Sequence, residues 1–448
     1  MLGCGEIEPA MGIEVYYTPT RGVGGIIKSQ PEDFILSEIL EGGLDAQALW
    51  RRETIPIEPT RYTLWILKKR NRETFSAVAE LAKTLETRLL KARICGIKDR
   101  RAVTYQFVAL PLTKISSDGD YYAQRGWEVW RVGYIDELNS SRLVANRFEI
   151  IVRGASVDCS TIGDFREAVQ SSGVPNFYGH QRFGLLRPIT HLVGRCIVKG
   201  DLKAAVETFL GYSTQFEPEH ILDARRALAE TGDIAYAIKH FPRSLTYERR
   251  VLRYLNHRPG DYAGALRRLP LRIRRLFVDA YSSYLFNRAL SITIRDGLRL
   301  DEPVTGDLFV RLDRHQRPYG RPLQVTSWNL EEVSLRISRG EAALVIPRPG
   351  THSWITSGPR GRALKNVLEY EGVSLRDFRA RPLPEASSTG TYRPVMLKPS
   401  KLEIEKLNDS TVRLSFTLPP AHYATSLLRE LMKRGCALSY MGIEHCYA

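Results

Sequence analysis

Short runs of apolar, β-branched and aromatic residues recur at both ends of the chain, and this pattern is typical of β-strands. The clearest runs cover 34–39, 62–67, 103–110, 148–152 and 411–418. In the last run the apolar residues occupy alternate positions, which predicts a strand with one buried face.

Apolar residues at helical spacing predict helices between these strands. Thr74 is a suitable N-cap for a helix to about Leu90, and 163–170 is also expected to be helical. Residues 187–300 are mostly helical by pattern and rich in arginine, and 278–294 reads as an amphipathic helix.

The rest of the chain returns from an irregular region to regular elements. Many prolines and glycines over 301–385 predict a β-rich or irregular segment. After the strand at 411–418, a helix is expected to open at 421–425, with Gly435 as its C′ residue.

A late strand and helix of this kind commonly complete a sheet that begins at the N-terminus. We therefore predict an α/β (α+β) fold in which residues 1–185 and 389–448 form one domain with a central mixed sheet. Residues 186–388 are expected to form an inserted second α+β domain.

The composition indicates a globular protein with a polyanionic partner. The chain has 448 residues, which suits two or three domains, and 43% of them are hydrophobic. Lysine and arginine outnumber aspartate and glutamate by 65 to 50, giving a net charge of +15. Nucleic acid is the simplest partner, and an acidic membrane surface is the alternative. Neither a membrane-spanning run nor a signal peptide is evident, so we expect a cytoplasmic protein.

The sequence lacks the motifs of common metal and cofactor sites. Its six cysteines contain no C-x-x-C pair, so neither a disulfide framework nor a zinc site is expected. No H-E-x-x-H occurs, and the glycine-rich segment 22–25 lacks the rest of a P-loop or dinucleotide fingerprint. We expect no metal, nucleotide or nicotinamide cofactor, and no obligate protein partner is evident.

A dense polar segment lies between two extended apolar stretches in residues 94–110. It places Asp99 among Lys98, Arg100 and Arg101. Nearby cations favour the ionised form of a carboxylate, which suits a nucleophile and not a general acid. An ordinary charged hairpin turn is the more common explanation of such residues taken alone.

The loop 174–184 contains three aromatic residues, one of which is Tyr178, together with Asn176 and Arg182. Such a loop could hold a flat, hydrogen-bonding ligand such as a nucleobase. A loop whose aromatic residues are pinned in the core explains the same pattern equally well.

Two other segments carry basic residues. Lys28 and Phe34 lie near the turn at Gln30, where a core aromatic is the simpler explanation of Phe34. The run 267–275 carries five arginines, and in a chain of charge +15 contact with phosphate is at least as plausible as a solvated face.

Five segments together resemble the TruD family of tRNA pseudouridine synthases, in its long archaeal and eukaryotic form. GIKDRRAVTYQ at 96–106 is similar to the family's G-x-K-D-x-x-A-x-T-x-Q motif around its catalytic aspartate. The other four are KSQPEDFILSE at 28–38, PNFYGHQRFG at 175–184, DAYSSYLFN at 279–287 and LPPAHYATSLLRE at 418–430. Because the five occur in the family's order, they are specific as a set.

The resemblance implies a catalytic domain with the pseudouridine-synthase fold, interrupted by the family's inserted domain. It also implies isomerisation of uridine 13 of tRNA to pseudouridine, without a cofactor. Asp99 falls on the position of the family's catalytic aspartate. Phe34, Asn176 and Tyr423 fall on positions that line its uridine pocket, and Tyr178 is an aromatic of the same loop.

Some residues have looser assignments or depart from the family pattern. Lys28, Lys98 and Arg182 are candidate phosphate contacts or supports for the residues that bind substrate. The pair at 421–422 is Ala-His where the family usually has a Gly-Ser-like pair, and Ser282 replaces a common glutamine. The hydroxyl of Tyr178, where some members have phenylalanine, could take part in proton handling.

Two alternatives to the isomerase stay open from the sequence. One is an RNA-binding or tRNA-folding protein that uses the same basic cleft without catalysis, and Asp99→Asn separates it from the isomerase. The other is a different base-modifying enzyme such as a methyltransferase, which needs a glycine-rich cofactor loop after a strand; none is found.

Overall fold

The computed structural model describes residues 4–51, 60–111, 120–184 and 186–443. The strands of these ranges, in chain order, are β1 (Gly24–Ile27), β2 (Phe34–Leu40), β3 (Leu44–Asp45), β4 (Tyr62–Arg70), β5 (Arg93–Ile94), β6 (Val103–Pro111), β7 (Tyr121–Gln124), β8 (Trp127–Ile135), β9 (Leu143–Ala155), β10 (Val174–Pro175), β11 (Leu308–Leu312), β12 (Pro318–Gln324), β13 (Ala342–Arg348), β14 (Thr391–Pro394), β15 (Met396–Leu397), β16 (Ser400–Asn408) and β17 (Thr411–Leu418).

Eleven of the described strands form one sheet, in which the main path has the order β16-β17-β9-β2-β6-β4-β8-β7. β2 and β6 are parallel, whereas the other neighbours on this path are antiparallel. β17 pairs with β9 from Thr411 opposite Arg153 to Leu418 opposite Asn146. The predicted mixed sheet with strands from both ends of the chain is therefore confirmed.

The helices surround this sheet and fill the middle of the chain. In order, they are α1 (Ile7–Ala10), α2 (Thr74–Thr84), α3 (Cys159–Ser172), α4 (Thr190–Lys199), α5 (Leu202–Gly211), α6 (Glu219–Thr231), α7 (Ile234–His240), α8 (Thr246–His257), α9 (Tyr262–Leu266), α10 (Leu271–Arg295), α11 (Leu330–Ser338), α12 (Pro359–Glu371) and α13 (Ala424–Met432). The mostly helical character predicted for 187–300 is confirmed.

α10 differs from the amphipathic helix expected at 278–294. It is 25 residues long, and from Phe277 to Thr293 it is buried on nearly all sides, between α4, α12 and β13. Its polar side chains bond to neighbouring backbone, as Ser282 does to the carbonyl of Pro349 at 2.7 Å. α10 is therefore a central helix, and the prediction of an amphipathic helix at 278–294 was wrong.

The segment 301–385 is more regular than expected. It contains α11 and α12 as well as three strands of a second sheet, whose order is β12-β11-β13-β14. β14 lies after residue 388, so the domain division that we propose there separates β14 from its own sheet. The two parts also share one hydrophobic core, which contains Phe148 of the large sheet and Phe286 of α10.

α2 begins one residue earlier than predicted and ends at Thr84 instead of near Leu90. Glu73, not Thr74, is the N-cap, and its side chain accepts a hydrogen bond from the backbone N–H of Ser76. The helix ends before Glu86, which has a φ of 50° and turns the chain. Leu90, the predicted end of the helix, lies outside it and is 89% exposed.

The C-terminal helix α13 begins three residues later than the first predicted position, after Tyr423. Lys433 occupies the left-handed conformation at its end, so the assignment of that role to Gly435 was wrong.

No helix in the described part of the chain is both long and apolar enough to cross a membrane. Cys95, Cys159 and Cys196 are free thiols. Cys436 is disulfide-bonded, which the scattered cysteine pattern did not predict.

Candidate active site

Asp99 lies in the loop between β5 and β6 and lines a cavity of about 530 Å³. β5 is only two residues long and pairs antiparallel with β6, so the extended stretch predicted up to Ile97 is mostly loop. The side chain of Asp99 is 32% exposed, so its carboxylate is open to a ligand in the cavity.

Lys28 is the cation that contacts the Asp99 carboxylate, with Nζ 2.5 Å from Oδ2. It follows β1 in a left-handed conformation, with a φ of 58°, and its side chain is 7% exposed. The ammonium group also lies 4.1 Å from the ring centroid of Phe34, which is a favourable cation–π geometry. Lys28 thus joins the nucleophile candidate to an aromatic residue of the cavity.

Lys98 does not pair with Asp99, although it is next to it in sequence. Its ammonium group lies 2.8 Å from Oε1 of the buried Glu38 and donates to Oδ1 of Asn146 at 2.9 Å. Glu38 also accepts a hydrogen bond from the backbone N–H of Phe107 at 2.8 Å. This network fixes Lys98 in the cavity wall.

Among the described residues, neither of the two arginines after Asp99 pairs with its carboxylate. Arg101 donates to the backbone carbonyls of Gly442 and Ser29, at 2.7 and 2.9 Å, and so anchors the loop. Arg100 is exposed. The cation in contact with the Asp99 carboxylate is therefore Lys28 and not one of the three cations beside it in the sequence.

Two buried residues hold the backbone of the loop that carries Asp99. Lys69, at the end of β4, donates to the carbonyl oxygen of Asp99 at 2.6 Å, and the hydroxyl of Thr74 accepts from the N–H of Lys98 at 3.2 Å. Burial lowers the pKa of Lys69 to about 8, against the opposing effect of Asp99. Sequence reasoning did not select Lys69, although it belongs to a visible basic run at a strand end.

The cavity collects residues from distant parts of the chain. Its lining includes Phe34, Lys98, Asp99, Asn146, Gln181, Ala421, His422 and Tyr423. Phe34, Lys98, Asp99 and Tyr423 were candidates from the sequence, and the structure brings them together. Asn146 was not, because strand β9 presents it without a local motif, and Gln181 was not singled out although it belongs to the quoted segment 175–184.

Asn176 is fully buried and does not line this cavity. Its Nδ2 donates to the carbonyl of Pro394 at 3.0 Å and its Oδ1 accepts from Arg393 at 2.7 Å. Its amide therefore bonds within the protein, and its contact with uridine stays a prediction.

Tyr178 is half-buried and packs edge-on against Tyr423, with ring centroids 6.2 Å apart. Arg182 donates to the hydroxyl of Ser283 on α10 at 3.2 Å. Phe177 and Phe183, 2% and 0% exposed, are core residues. The loop is thus pinned by its aromatic residues, while Tyr178 stays next to the cavity.

The segment after β17 forms part of the cavity wall in an unusual conformation. Ala421 has a φ of 63°, where residues with a Cβ are strained. In His422, Nδ1 lies 3.0 Å from the carbonyl of Pro420 and donates to it. Burial, with the charge of Arg393, lowers the pKa of His422 to about 4, so the imidazole is neutral at pH 7.

Cys95 also lines the cavity, but burial raises the pKa of its thiol to about 12. Its Sγ donates to the carbonyl of Asn139 at 3.3 Å. It is therefore a poor nucleophile at neutral pH. Across the residues that the structure describes, no three His, Cys, Asp or Glu side chains converge as metal ligands.

Comparisons with known proteins show the family to which the chain belongs. The family model described as tRNA pseudouridine synthase D (TruD) matches residues 10–431. The chain belongs to the TruD family. TruD proteins are tRNA pseudouridine synthases, and pseudouridine synthases are isomerases, so the predicted family and enzyme class are confirmed.

Individual TruD relatives match nearly the whole chain. The "Probable tRNA pseudouridine synthase D" of Thermococcus sibiricus is 32% identical over 426 residues, which cover 93% of this chain and 97% of the relative. The protein of the same description from Methanopyrus kandleri is 38% identical over 379 residues, 83% and 85% of the two chains. The crystal structure of a TruD protein from Methanosarcina mazei superposes with a TM-score of 0.81 at 32% identity, covering 97% of this chain and 99% of that one. The predicted fold class is confirmed.

Proposed function

We propose that this TruD protein converts uridine 13 of tRNA to pseudouridine, with Asp99 as the nucleophile and without a cofactor. One observation carries the proposal: of the described residues that line the cavity, Asp99 alone has a carboxylate. Lys28 binds one of its oxygens and leaves the side chain partly exposed to the cavity. The other oxygen is then available to add to the ribose C1′ or to C6 of the uracil.

The reaction itself needs only what these residues can provide. The N1–C1′ bond breaks, a C5–C1′ bond forms between the same two rings, the C5 hydrogen leaves as a proton, and N1 gains a proton. No electrons are gained or lost overall, so no redox partner is required. The protein must hold the detached base while it turns, in a site that excludes other nucleophiles.

A uridine must leave the RNA stack to reach Asp99, and aromatic surfaces favour this step. We propose that Phe34 and Tyr423, which line the cavity, contact the flipped base. Asn176 and Tyr178 act on the same pocket through the loop that supports Tyr423. The cavity volume of about 530 Å³ lies in the range of small-ligand sites.

The basic character of the chain supports tRNA as the partner. In the arginine-rich run, Arg267 and Arg274 bond to Glu385, which neutralises part of their charge. Arg272 is exposed and lies 5.2 Å from the ring of Phe75, the residue after Thr74. Arg272 thus contacts the first turn of α2, the helix whose first residue, Thr74, holds the Asp99 loop. We infer that Arg272 contacts the tRNA backbone.

The decisive experiment is tritium release from a tRNA transcript labelled at C5 of uridine, since isomerisation frees this hydrogen and binding does not. We expect release by the wild type and by Asp409→Asn, which changes an exposed aspartate in the β16–β17 turn. Asp99→Asn should bind the tRNA and release at least about 10³-fold less, the scale of losing a nucleophile.

A second transcript with cytidine at position 13 tests the site. Loss of release from that transcript supports uridine 13, whereas unchanged release excludes it as the target. Full activity of Asp99→Asn excludes the nucleophile assignment. A folded wild type that binds the tRNA without release points to the RNA-binding alternative.

A further inference from the structure

Arg393 joins the two loops that flank the cavity. It lies on β14 of the second sheet and is 6% exposed. Nε donates to the carbonyl of Asn176 at 2.8 Å, and Nη2 donates to Oδ1 of the same residue and to the carbonyl of Phe177. Nη1 reaches the other loop and donates to the carbonyl of Ala421 at 2.9 Å. One planar group therefore sets the spacing between the 175–184 loop and the loop that carries Tyr423.

These contacts suit a positioning role better than charge neutralisation. Within the described ranges, the hydrogen bonds of the Arg393 guanidinium go to carbonyl and amide oxygens and none to a carboxylate. Its charge lies instead 4.1 Å from the ring centroid of Tyr178 and 5.6 Å from that of Tyr423. Burying a cation without an acidic partner costs desolvation free energy. The planar guanidinium provides several donors in a fixed geometry, which the ammonium group of a lysine does not.

Asn287, on α10, makes a second connection to the same loop. Its Oδ1 accepts from the N–H of Tyr178 at 2.9 Å, and its Nδ2 donates to the carbonyl of Tyr178 at 3.1 Å. Nδ2 also donates to the carbonyl of Met11 at 3.1 Å. Arg393 lies on the second sheet and Asn287 on α10, so neither connection comes from a strand of the large sheet, whose β5 and β6 flank the Asp99 loop.

We propose that Arg393 and Asn287 are positioning residues of the isomerisation, through which the second sheet and α10 set the shape of the pocket that contains Asp99. This inference rests on the proposed function. Neither side chain lines the cavity, so both act through the backbone of the loops that hold Tyr178 and Tyr423. A shift of about 1 Å in such a wall costs on the order of 100-fold in rate, while the rest of the RNA interface is unchanged.

The test compares Arg393→Lys with Arg225→Lys in the full-length protein. Arg225 is a matched control, since it is also buried, at 1% exposure, and it bonds to Glu217, Glu248 and a backbone carbonyl in the helical region. Single-turnover tritium release at saturating enzyme gives the rate, a filter-binding titration gives the tRNA Kd, and thermal unfolding gives the stability. We expect Arg393→Lys to lower the rate about 100-fold with a Kd within about 3-fold of wild type. Arg225→Lys should lose stability without this loss of rate.

Asn287→Ala keeps the proposal testable should Arg393→Lys not fold. It removes no charge, and we expect a rate about 10-fold lower at unchanged Kd. Equal rates for Arg393→Lys and Arg225→Lys, an unchanged rate for Asn287→Ala, or a rate loss matched by an equal loss of tRNA affinity each overturn the inference. Absence of release from the wild type overturns the proposed function, and the inference with it.

Discussion

The ammonium group of Lys28 and the carboxylate of Asp99 lie 2.5 Å apart, although 71 positions separate the two residues in the chain. The parallel pairing of β2 with β6, with Ile35 opposite Val103, explains this contact. Segments that precede two neighbouring parallel strands lie at the same end of the sheet, where both strands begin. Lys28 precedes β2 and Asp99 precedes β6, so the sheet topology assembles the pair.

Replacing Lys28 by methionine removes the donor that orients Asp99. We expect single-turnover tritium release to fall by about 10²-fold, because the carboxylate loses its fixed geometry. Binding of tRNA should change little, since Lys28 is almost buried.

The matched control for this prediction is Lys68→Met. Lys68 is a half-buried lysine on β4 that pairs with Glu128 and does not line the cavity. Equal rates for the two variants would show that the ion pair of Lys28 does not serve the chemistry.

Ala421→Gly tests the strain in the cavity wall. Ala421 has a φ of 63°, a conformation that disfavours any residue with a Cβ and suits glycine. We expect the substitution to stabilise the protein by about 0.5–1 kcal/mol, measured by denaturant unfolding.

Ala424→Gly, three residues away, is a control for which we expect the opposite change in stability. Ala424 is the first residue of α13, where glycine costs about 1 kcal/mol relative to alanine. Destabilisation by both substitutions would mean that Ala421 is not strained.

Local patterns predicted the elements and the family motif predicted part of the site. Apolar residues alternate along 411–418, and this local periodicity correctly predicted that β17 is a strand with one buried face. The resemblance selected Asp99, Phe34 and Tyr423, and all three line the cavity.

The missed contacts depend on tertiary packing. Thr74 has the chemistry of an N-cap, but its hydroxyl bonds to the Asp99 loop, and Glu73 caps the helix in its place. Arg393 stands between a tyrosine and a proline without any motif, and its partners lie 217 and 28 positions away. No local signal could identify such residues.

The lowered pKa of Lys69 predicts that the stability of the protein rises with pH. Burial lowers its pKa from 10.5 to about 8 in the folded protein, so between these values the unfolded chain binds more protons. Stability therefore increases as pH rises through this window. We expect the free energy of unfolding of the wild type, relative to Lys69→Met, to increase by about 1–3 kcal/mol from pH 7.5 to 10.5. Groups common to both proteins cancel in this difference, and a difference independent of pH would contradict the shifted pKa.

The proposed contact of Arg272 with tRNA predicts a specific dependence on salt. A cation that binds a phosphate displaces counterions, so its loss weakens binding and makes it less sensitive to salt. We expect Arg272→Gln to raise the Kd for tRNA and to reduce the slope of log Kd against log salt by about 1. Arg336→Gln is the control, because Arg336 is an arginine of α11 that pairs with Glu332 on the same helix. Equal slopes for Arg272→Gln and the wild type would show that Arg272 does not contact the tRNA backbone.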